Sequence, residues 1–297
     1  MRIIIFFVLC GIVFFVPYFR IVFFNLFEFV LLSLKDLFFF FRNLSFNSCP
    51  CGVIRCFSGL FGQGKTLSSV HYIKGLYKRF NNKKVFYKGK FRRNKVVILS
   101  NVDFIDIPFI PLTSLKQIVN CCQELESVEN DQYCVTYLVL IDEASSQLNS
   151  REFKSNIEPM LLNSLLTSRH YRMSIFYTSQ RFLLVDKLLR EVTESVIECK
   201  KIGRVQLWSI YNAFDLENSS NITLVKPRQK SGFLVRDSDY NSYDTLACVD
   251  NLSKSMANGD MLTSTEILQS IDSQDNLDSV NLSRRGKLRF KRSRSRR

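Results

Sequence analysis

Residues 59–66 read Gly-Leu-Phe-Gly-Gln-Gly-Lys-Thr, a complete G-x-x-x-x-G-K-[ST] loop. No other stretch constrains the chain as much, because the loop works only in one setting: a buried strand before it and a helix after it. The apolar run Val53–Phe57 supplies the strand, and the helix-compatible stretch Lys65–Phe80 supplies the helix. Gly59, Gly62 and Gly64, with Gln63 between them, let successive backbone N–H groups turn inward around phosphate oxygens. Lys65 is expected to reach the β- and γ-phosphates, and the Thr66 hydroxyl to ligate Mg²⁺. The expected ligand is therefore ATP with Mg²⁺.

A second element fits the first. Tyr137-Leu138-Val139-Leu140-Ile141 is apolar on both faces, as in a covered parallel strand, and it ends in Asp142-Glu143. Ligands of open α/β sheets bind at the carboxyl ends of strands. Asp142 suits the Mg²⁺ shell, and Glu143 suits the base that activates an attacking water. A further buried strand, Lys95–Asp103, carries Ser100-Asn101 near its end, and Ser174–Gln180 forms another with a polar end. Helices are expected over 115–126, 156–166 and 186–196, and a strand over 205–211. Strand and helix alternate from 53 to 211, which predicts a doubly wound parallel α/β sheet with flanking helices.

The two ends of the chain differ from this middle. Residues 3–19 carry no charge, the short end of a membrane span. Apolarity resumes after Arg20 through Phe41, interrupted by Asn25, Glu28, Ser33, Lys35 and Asp36. At helical spacing these five share an arc of about 160°, as in an interfacial helix or a second span with one polar stripe. Pro17–Arg20 reads as a turn between the two. Residues 1–44 are thus expected to anchor the chain in a membrane. Arg42, Arg55 and the later lysines place the following domain on the cytoplasmic side. From about 214 the sequence is rich in Ser, Asn and Asp; residues 216–283 read as a variable polar region or linker, and 250–283 are low in aromatics and hydrophobicity. Residues 284–297 hold nine basic residues and no acid. That leaves only +5 of the net charge of +14 for the rest of the chain. Such a disordered basic tail binds polyanions, nucleic acid or an anionic membrane. The nine cysteines are scattered and odd in number, which fits a reduced compartment rather than a disulfide framework.

Arg169-His170-Tyr171-Arg172 precedes the strand that ends in Gln180. If that strand lies beside the acidic one, the Gln180 amide projects toward the γ-phosphate, where it can hold the attacking water. Arg169 or Arg172 is a candidate finger acting across a subunit boundary on transition-state charge.

In order, the chain presents the phosphate loop, Ser100-Asn101-Val102, Leu138 to Ala144 as Leu-Val-Leu-Ile-Asp-Glu-Ala, and Arg151. Ser168-Arg169-His170-Tyr171 and Ile175-Phe176-Tyr177-Thr178-Ser179-Gln180 follow. This resembles the Zot-like ATPases of filamentous phages, a branch of the FtsK/HerA-type P-loop superfamily, over roughly residues 50–200. The resemblance implies a RecA-like ATPase domain over 45–215, acting as a homo-oligomeric ring at the host cytoplasmic membrane. It also implies work on single-stranded DNA or nucleoprotein, together with phage coat and assembly proteins, in virion assembly and export. In one respect the chain departs from that family: its apolar segment precedes the ATPase domain, as in FtsK-type and conjugative DNA translocases. Two readings compete with a motor. One is a nucleotide-switched membrane scaffold, and the other a permeability factor acting through the Phe-rich N-terminus. The intact Asp142-Glu143 pair argues against a pure scaffold, which has no need of a hydrolytic acid.

Overall fold

The computed structural model describes residues 17–112, 115–144, 167–219 and 224–244. Its frame is one sheet built on strands β1 (Ile54–Ser58), β2 (Lys83–Tyr87), β3 (Lys90–Ser100) and β6 (Tyr133–Ile141). Strands β7 (Met173–Ser179), β8 (Ser195–Ile202), β9 (Val205–Asn212) and β10 (Gln229–Leu234) complete it. The order is β10-β9-β8-β1-β7-β6-β3-β2, and the short β5 (Ile110–Pro111) also pairs with β3. A separate pair joins β4 (Asp103–Phe104) to β11 (Tyr243–Asp244).

The centre of the sheet is parallel: β8, β1, β7, β6 and β3 pair in that sense throughout. Its central strands β6 and β7 are buried almost throughout, so both faces are covered. On one face Cys56, Val97, Leu99, Val139, Ile175 and Tyr177 pack in a core with Ile118, Val119 and Cys122 of α4 (Lys116–Gln123). On the other face Phe57, Val96, Ile98, Leu140 and Phe176 meet α3 (Lys65–Phe80) through Val70, Ile73, Tyr77 and Phe80. The strand residues alternate with period two, and the α3 residues recur at helical spacing. Each fully buried Phe, Ile or Leu contributes about 1.5–3 kcal/mol of transfer free energy.

The sheet is not parallel throughout, as the alternation of elements implied. Its edges are antiparallel hairpins. β2 and β3 join through Lys88-Gly89, whose φ angles of 47° and 78° are those of a type I′ turn. β8 and β9 join through Gly203-Arg204, and β10 adds antiparallel to β9. The helix expected over 186–196 shrinks to α6 (Lys187–Glu191), because Ser195–Ile202 is a strand. Leu188, Leu189 and Val192 look helical in isolation, but β8 gains a parallel ladder on β1, and the ladder prevails. Nor does the body end at 215. α7 (Ala213–Asn218), β10, α8 (Asp237–Tyr240) and β11 all lie on it, so part of the expected linker is folded.

At the N-terminal side α1 (Pro17–Phe24) and α2 (Leu26–Arg42) bury none of their residues. Pro17–Arg20 is helical, where a turn between spans was expected. Among the described residues no helix is long and apolar enough to cross a membrane. Most of the apolar segment 3–19, the helix expected over 156–166, Arg151 and the basic tail lie outside the described residues.

Arg172 corrects an expectation. It sits just before β7, at the amino ends of the central strands and so at the end of the sheet opposite the phosphate loop. It is 8% exposed. Its Nε donates to the Val135 carbonyl at 2.9 Å, and Nη2 donates to Asn94 Oδ1 at 3.1 Å and Thr136 Oγ1 at 2.9 Å. The guanidinium also lies 4.5 Å from the Tyr87 ring centre. A side chain engaged on every side cannot serve as a finger; it ties β6 to β3 and β7. Arg172→Ala is expected to cost about 3 kcal/mol by leaving buried acceptors unpaired. Arg172→Lys should recover little of it, lacking the planar fork. Urea unfolding at constant slope measures both, and the folded fraction should bind nucleotide normally.

Candidate functional site

The site lies at the carboxyl ends of the parallel strands, where β1 runs into the phosphate loop. Gly62 and Gly64 both hold φ of 74°, which an L side chain rarely adopts, so the loop turns as its glycines require. Gly64 leads directly into α3, which aims that helix's first N–H groups at the loop. Lys65 folds back over the loop, its Nζ donating to the Leu60 carbonyl at 3.3 Å and lying 5.5 Å from the Phe61 ring centre.

β7 lies between β1 and β6, so the strand carrying Thr178-Ser179-Gln180 separates the phosphate loop from the acidic strand while touching both. Asp142, 6% exposed, is the junction. Thr66 Oγ1 lies 3.0 Å from each of its carboxylate oxygens and donates to the group. Thr178 Oγ1 donates to Oδ1 at 2.6 Å and accepts the Glu143 N–H at 2.9 Å. Asn101, at the end of β3, clasps the same residue's backbone. Its Nδ2 donates to the Asp142 carbonyl at 3.1 Å, and its Oδ1 accepts the Asp142 N–H at 2.7 Å. Three strands and one helix thus converge on one residue, its carboxylate held by two hydroxyls and its backbone by Asn101. Glu143 follows with φ of 51°, a left-handed conformation that costs a non-glycine residue about 1–2 kcal/mol. Its side chain is exposed at the mouth of the site.

Burial pushes the Asp142 carboxyl above the usual carboxylate range, against the opposing hydrogen bonds from Thr178 and Thr66. A buried carboxylate whose hydrogen-bond donors are neutral hydroxyls, next to a third oxygen on Thr66, is a donor set suited to a hard cation such as Mg²⁺. Among the described residues no three His, Cys, Asp or Glu side chains gather into a metal site. Mg²⁺ at Thr66 and Asp142 would therefore need phosphate oxygens or water to complete its shell. The cysteines offer no alternative: burial pushes the Cys49 and Cys199 thiols up to about 12.

Gln180 follows β7 directly and lines a cleft of about 670 Å³ beside the loop, together with Gly59, Leu60, Arg181 and Tyr211. The structure thus brings Lys65, Thr66, Asp142, Glu143 and Gln180 to one end of the sheet. Arg169 does not join them. It is exposed in the turn before β7, at the opposite end with Arg172.

Two groups of residues escaped the sequence reading. Thr178 appears in sequence only as a polar strand end, yet it holds both acids in place. The β8–β9 hairpin braces the loop from behind: the Lys201 N–H donates to Gln63 Oε1 at 3.1 Å, and Gln206 Nε2 donates to the Gln63 carbonyl at 2.9 Å. Trp208 Nε1 donates to Ser68 Oγ on α3 at 3.0 Å. The only sequence signal for this brace is the glycine of the Gly203-Arg204 turn, since the contacts span about 140 residues.

No family model matches the chain, and no curated protein matches it. Among solved structures it is similar to the N-terminal domain of zonular occludens toxin from Neisseria meningitidis, at 19% identity over 66% of this chain and 100% of that one, with a TM-score of 0.44. It is also similar to the genome packaging NTPase B204 from Sulfolobus turreted icosahedral virus 2 in complex with ATP-gammaS (13% identity, 62% of this chain, 98% of that one, TM-score 0.36). A third is the flagellar accessory protein FlaH from Methanocaldococcus jannaschii (12% identity, 63% and 87%, TM-score 0.36).

The raised Asp142 carboxyl has a definite sign. Its ionised form is disfavoured in the folded state, so its contribution to stability is fully present below the unfolded carboxylate range and is lost as pH rises through the folded value. Without metal or nucleotide, Asp142→Asn should therefore melt higher than wild type at neutral pH, with the gap closing as pH falls toward 4. Adding Mg²⁺ with nucleotide should reverse the order, raising wild type and not the variant. Thermal scans across pH measure both. At Gly64, an added Cβ would lie 2.5 Å from Gln206 Oε1 in a backbone that disfavours any side chain. Gly64→Ala should therefore abolish measurable nucleotide binding in a filter or fluorescence assay.

Proposed function

We propose that this chain is a membrane-attached ATPase whose turnover drives export of single-stranded DNA or a nucleoprotein during virion assembly. The observation that carries the enzymatic part is the Thr66–Asp142–Thr178 junction with Glu143 beside it. A phosphate loop, a cation position and a carboxylate base share one end of the sheet. The Zot-like order of motifs supports the assembly role, and the basic residues 284–297 support a polyanionic partner.

In this reading the backbone N–H groups of Gly59–Lys65 bind the triphosphate, and Lys65 neutralises charge that grows on its oxygens as the bond to the leaving phosphate lengthens. Thr66 and Asp142 would hold Mg²⁺, which would neutralise phosphate charge. Glu143 takes the proton of the attacking water, its backbone held by Thr178. Gln180 orients that water through its side-chain amide. The brace from Gln206 and Lys201 keeps the loop from relaxing, so little reorganisation accompanies the chemical step. Arg169, exposed, is the remaining candidate for an arginine supplied to a neighbouring subunit of a ring. Residues 1–44 attach the protein to the host cytoplasmic membrane, and residues 45–244 form the catalytic body on the cytoplasmic side. Residues 284–297 engage DNA.

The test is ATP hydrolysis by the full chain in lipid, with and without single-stranded DNA. Turnover that rises with DNA is the expected result. Lys65→Ala should lose both binding and turnover. Glu143→Gln should keep ATP affinity and lose on the order of 10²–10⁴ in rate, the usual worth of a general base. Undiminished turnover by Glu143→Gln would remove the base assignment. ATP binding without turnover in either condition would favour a nucleotide-switched scaffold.

A further inference from the structure

The β2–β3 hairpin stands at the end of the sheet farthest from the nucleotide site, and its charge is lopsided. From Lys78 to Lys95 the chain carries nine basic residues and no acid. The hairpin's two faces treat this charge differently. On one, Val85 is buried, and Lys90 and Arg92 lie 2.9 and 3.5 Å from Asp131. On the other, Lys84 stands directly opposite Arg93, and Phe86 directly opposite Phe91. All four are exposed, and the two rings meet edge to face with centroids 5.2 Å apart. Neither Lys84 nor Arg93 has an ion-pair partner among the described residues. Like charges directly across a sheet destabilise the pair, and two exposed Phe gain nothing from water. This face is costly for a free surface.

Its neighbour suggests what covers it. α2 is apolar on most sides, buries none of its seventeen residues and ends at Arg42. A 3₁₀ turn over Ser45–Asn47 follows, and Asn47 Nδ2 donates to the Lys84 carbonyl at 3.1 Å. The turn that follows an uncovered Phe- and Leu-rich helix is therefore hydrogen-bonded to the strand that bears the basic-aromatic face. Exposed Lys78 and Arg79, at the end of α3, and Lys83 extend the positive charge beside it.

We infer that the Lys84, Phe86, Phe91 and Arg93 face is a membrane-docking surface for an anionic bilayer. The two rings enter the interface, and the basic pair meets headgroup phosphates. This rests on the membrane attachment proposed above and adds a second contact to it. One attachment through α1 and α2 leaves the catalytic body free to swivel; a second, across β2 and β3, fixes its orientation. The nucleotide site then faces away from the lipid, because the strands run from the hairpin end toward the phosphate loop. Basic residues near an anionic surface attract it by about 1 kcal/mol each, a factor of about five per residue in partitioning.

The test uses the full chain in phosphatidylcholine vesicles with and without phosphatidylglycerol. The wild-type chain has one Trp, Trp208, in the body; Phe86→Trp adds a second on the docking face. The expected result is extra quenching of the Phe86→Trp protein by brominated lipid in anionic vesicles. That quenching should be lost in high salt and on adding Lys84→Glu with Arg93→Glu, while the protein still floats with vesicles. Flotation without extra quenching in either lipid overturns the docking surface and leaves the attachment standing. Failure to float with any vesicle overturns both. If the double charge reversal spares the quenching but abolishes binding of single-stranded DNA, the face belongs to nucleic acid and the inference falls.

Discussion

The buried carboxylate of Asp142 is the point on which the catalytic end is built. A charge this far from water is tolerated only where hydroxyls and a cation replace the lost solvent. Thr66 comes from the start of α3, Thr178 from the end of β7, and Asn101 from the end of β3. The residue can be held by carboxylate and backbone together only if all three elements end at the same level. The strand order enforces this, since β7 is inserted between the phosphate-loop strand and the acidic strand. Glu143 inherits its position from the same arrangement. Its left-handed backbone is held by the Thr178 hydroxyl, which also bonds to Asp142. The positions of the two acids are therefore coupled through one threonine.

The antiparallel additions at the β8 edge act on the loop as well as on the core, against which Trp208, Ile210 and Tyr211 pack. A glycine-rich loop is conformationally loose, and that looseness must be removed before it can present N–H groups to a phosphate. Gln206 is fully buried, with one amide atom on the Gln63 carbonyl and the other against Gly64. The hairpin thereby fixes the loop's crest, while Trp208 ties the same hairpin to α3. At the far end of the sheet Arg172 has the complementary structural task, joining the amino ends of β3, β6 and β7 through Asn94, Thr136 and the Val135 carbonyl. The phosphate loop and the buried arginine thus occupy opposite ends of one sheet.

The elements most legible in sequence were those whose signal is local. The glycine spacing of 59–66, the helical stripe Val70, Ile73, Tyr77 and Phe80, and the unbroken apolarity of 137–141 each declare their structure within one or two turns of chain. The β8 strand and the folded segment 229–244 were not legible. Their sequences are half polar, and they are strands because a neighbour already in the sheet offers a ladder. The roles of the two arginines before β7 were equally hidden. In sequence both lie close to Gln180, but seven strand residues carry the chain from one end of the sheet to the other, which separates Arg172 from Gln180 by the full length of β7.

By itself, then, the sequence determined the phosphate-loop motif and the apolar strand that ends in two acids, because both depend on residues adjacent in the chain. Tertiary structure decided the rest. It set which hydroxyls hold Asp142, which arginine is structural, what braces the loop, and which face of a basic hairpin stays without acids. Those outcomes depend on which strands become neighbours, and that is a property of the whole packed sheet.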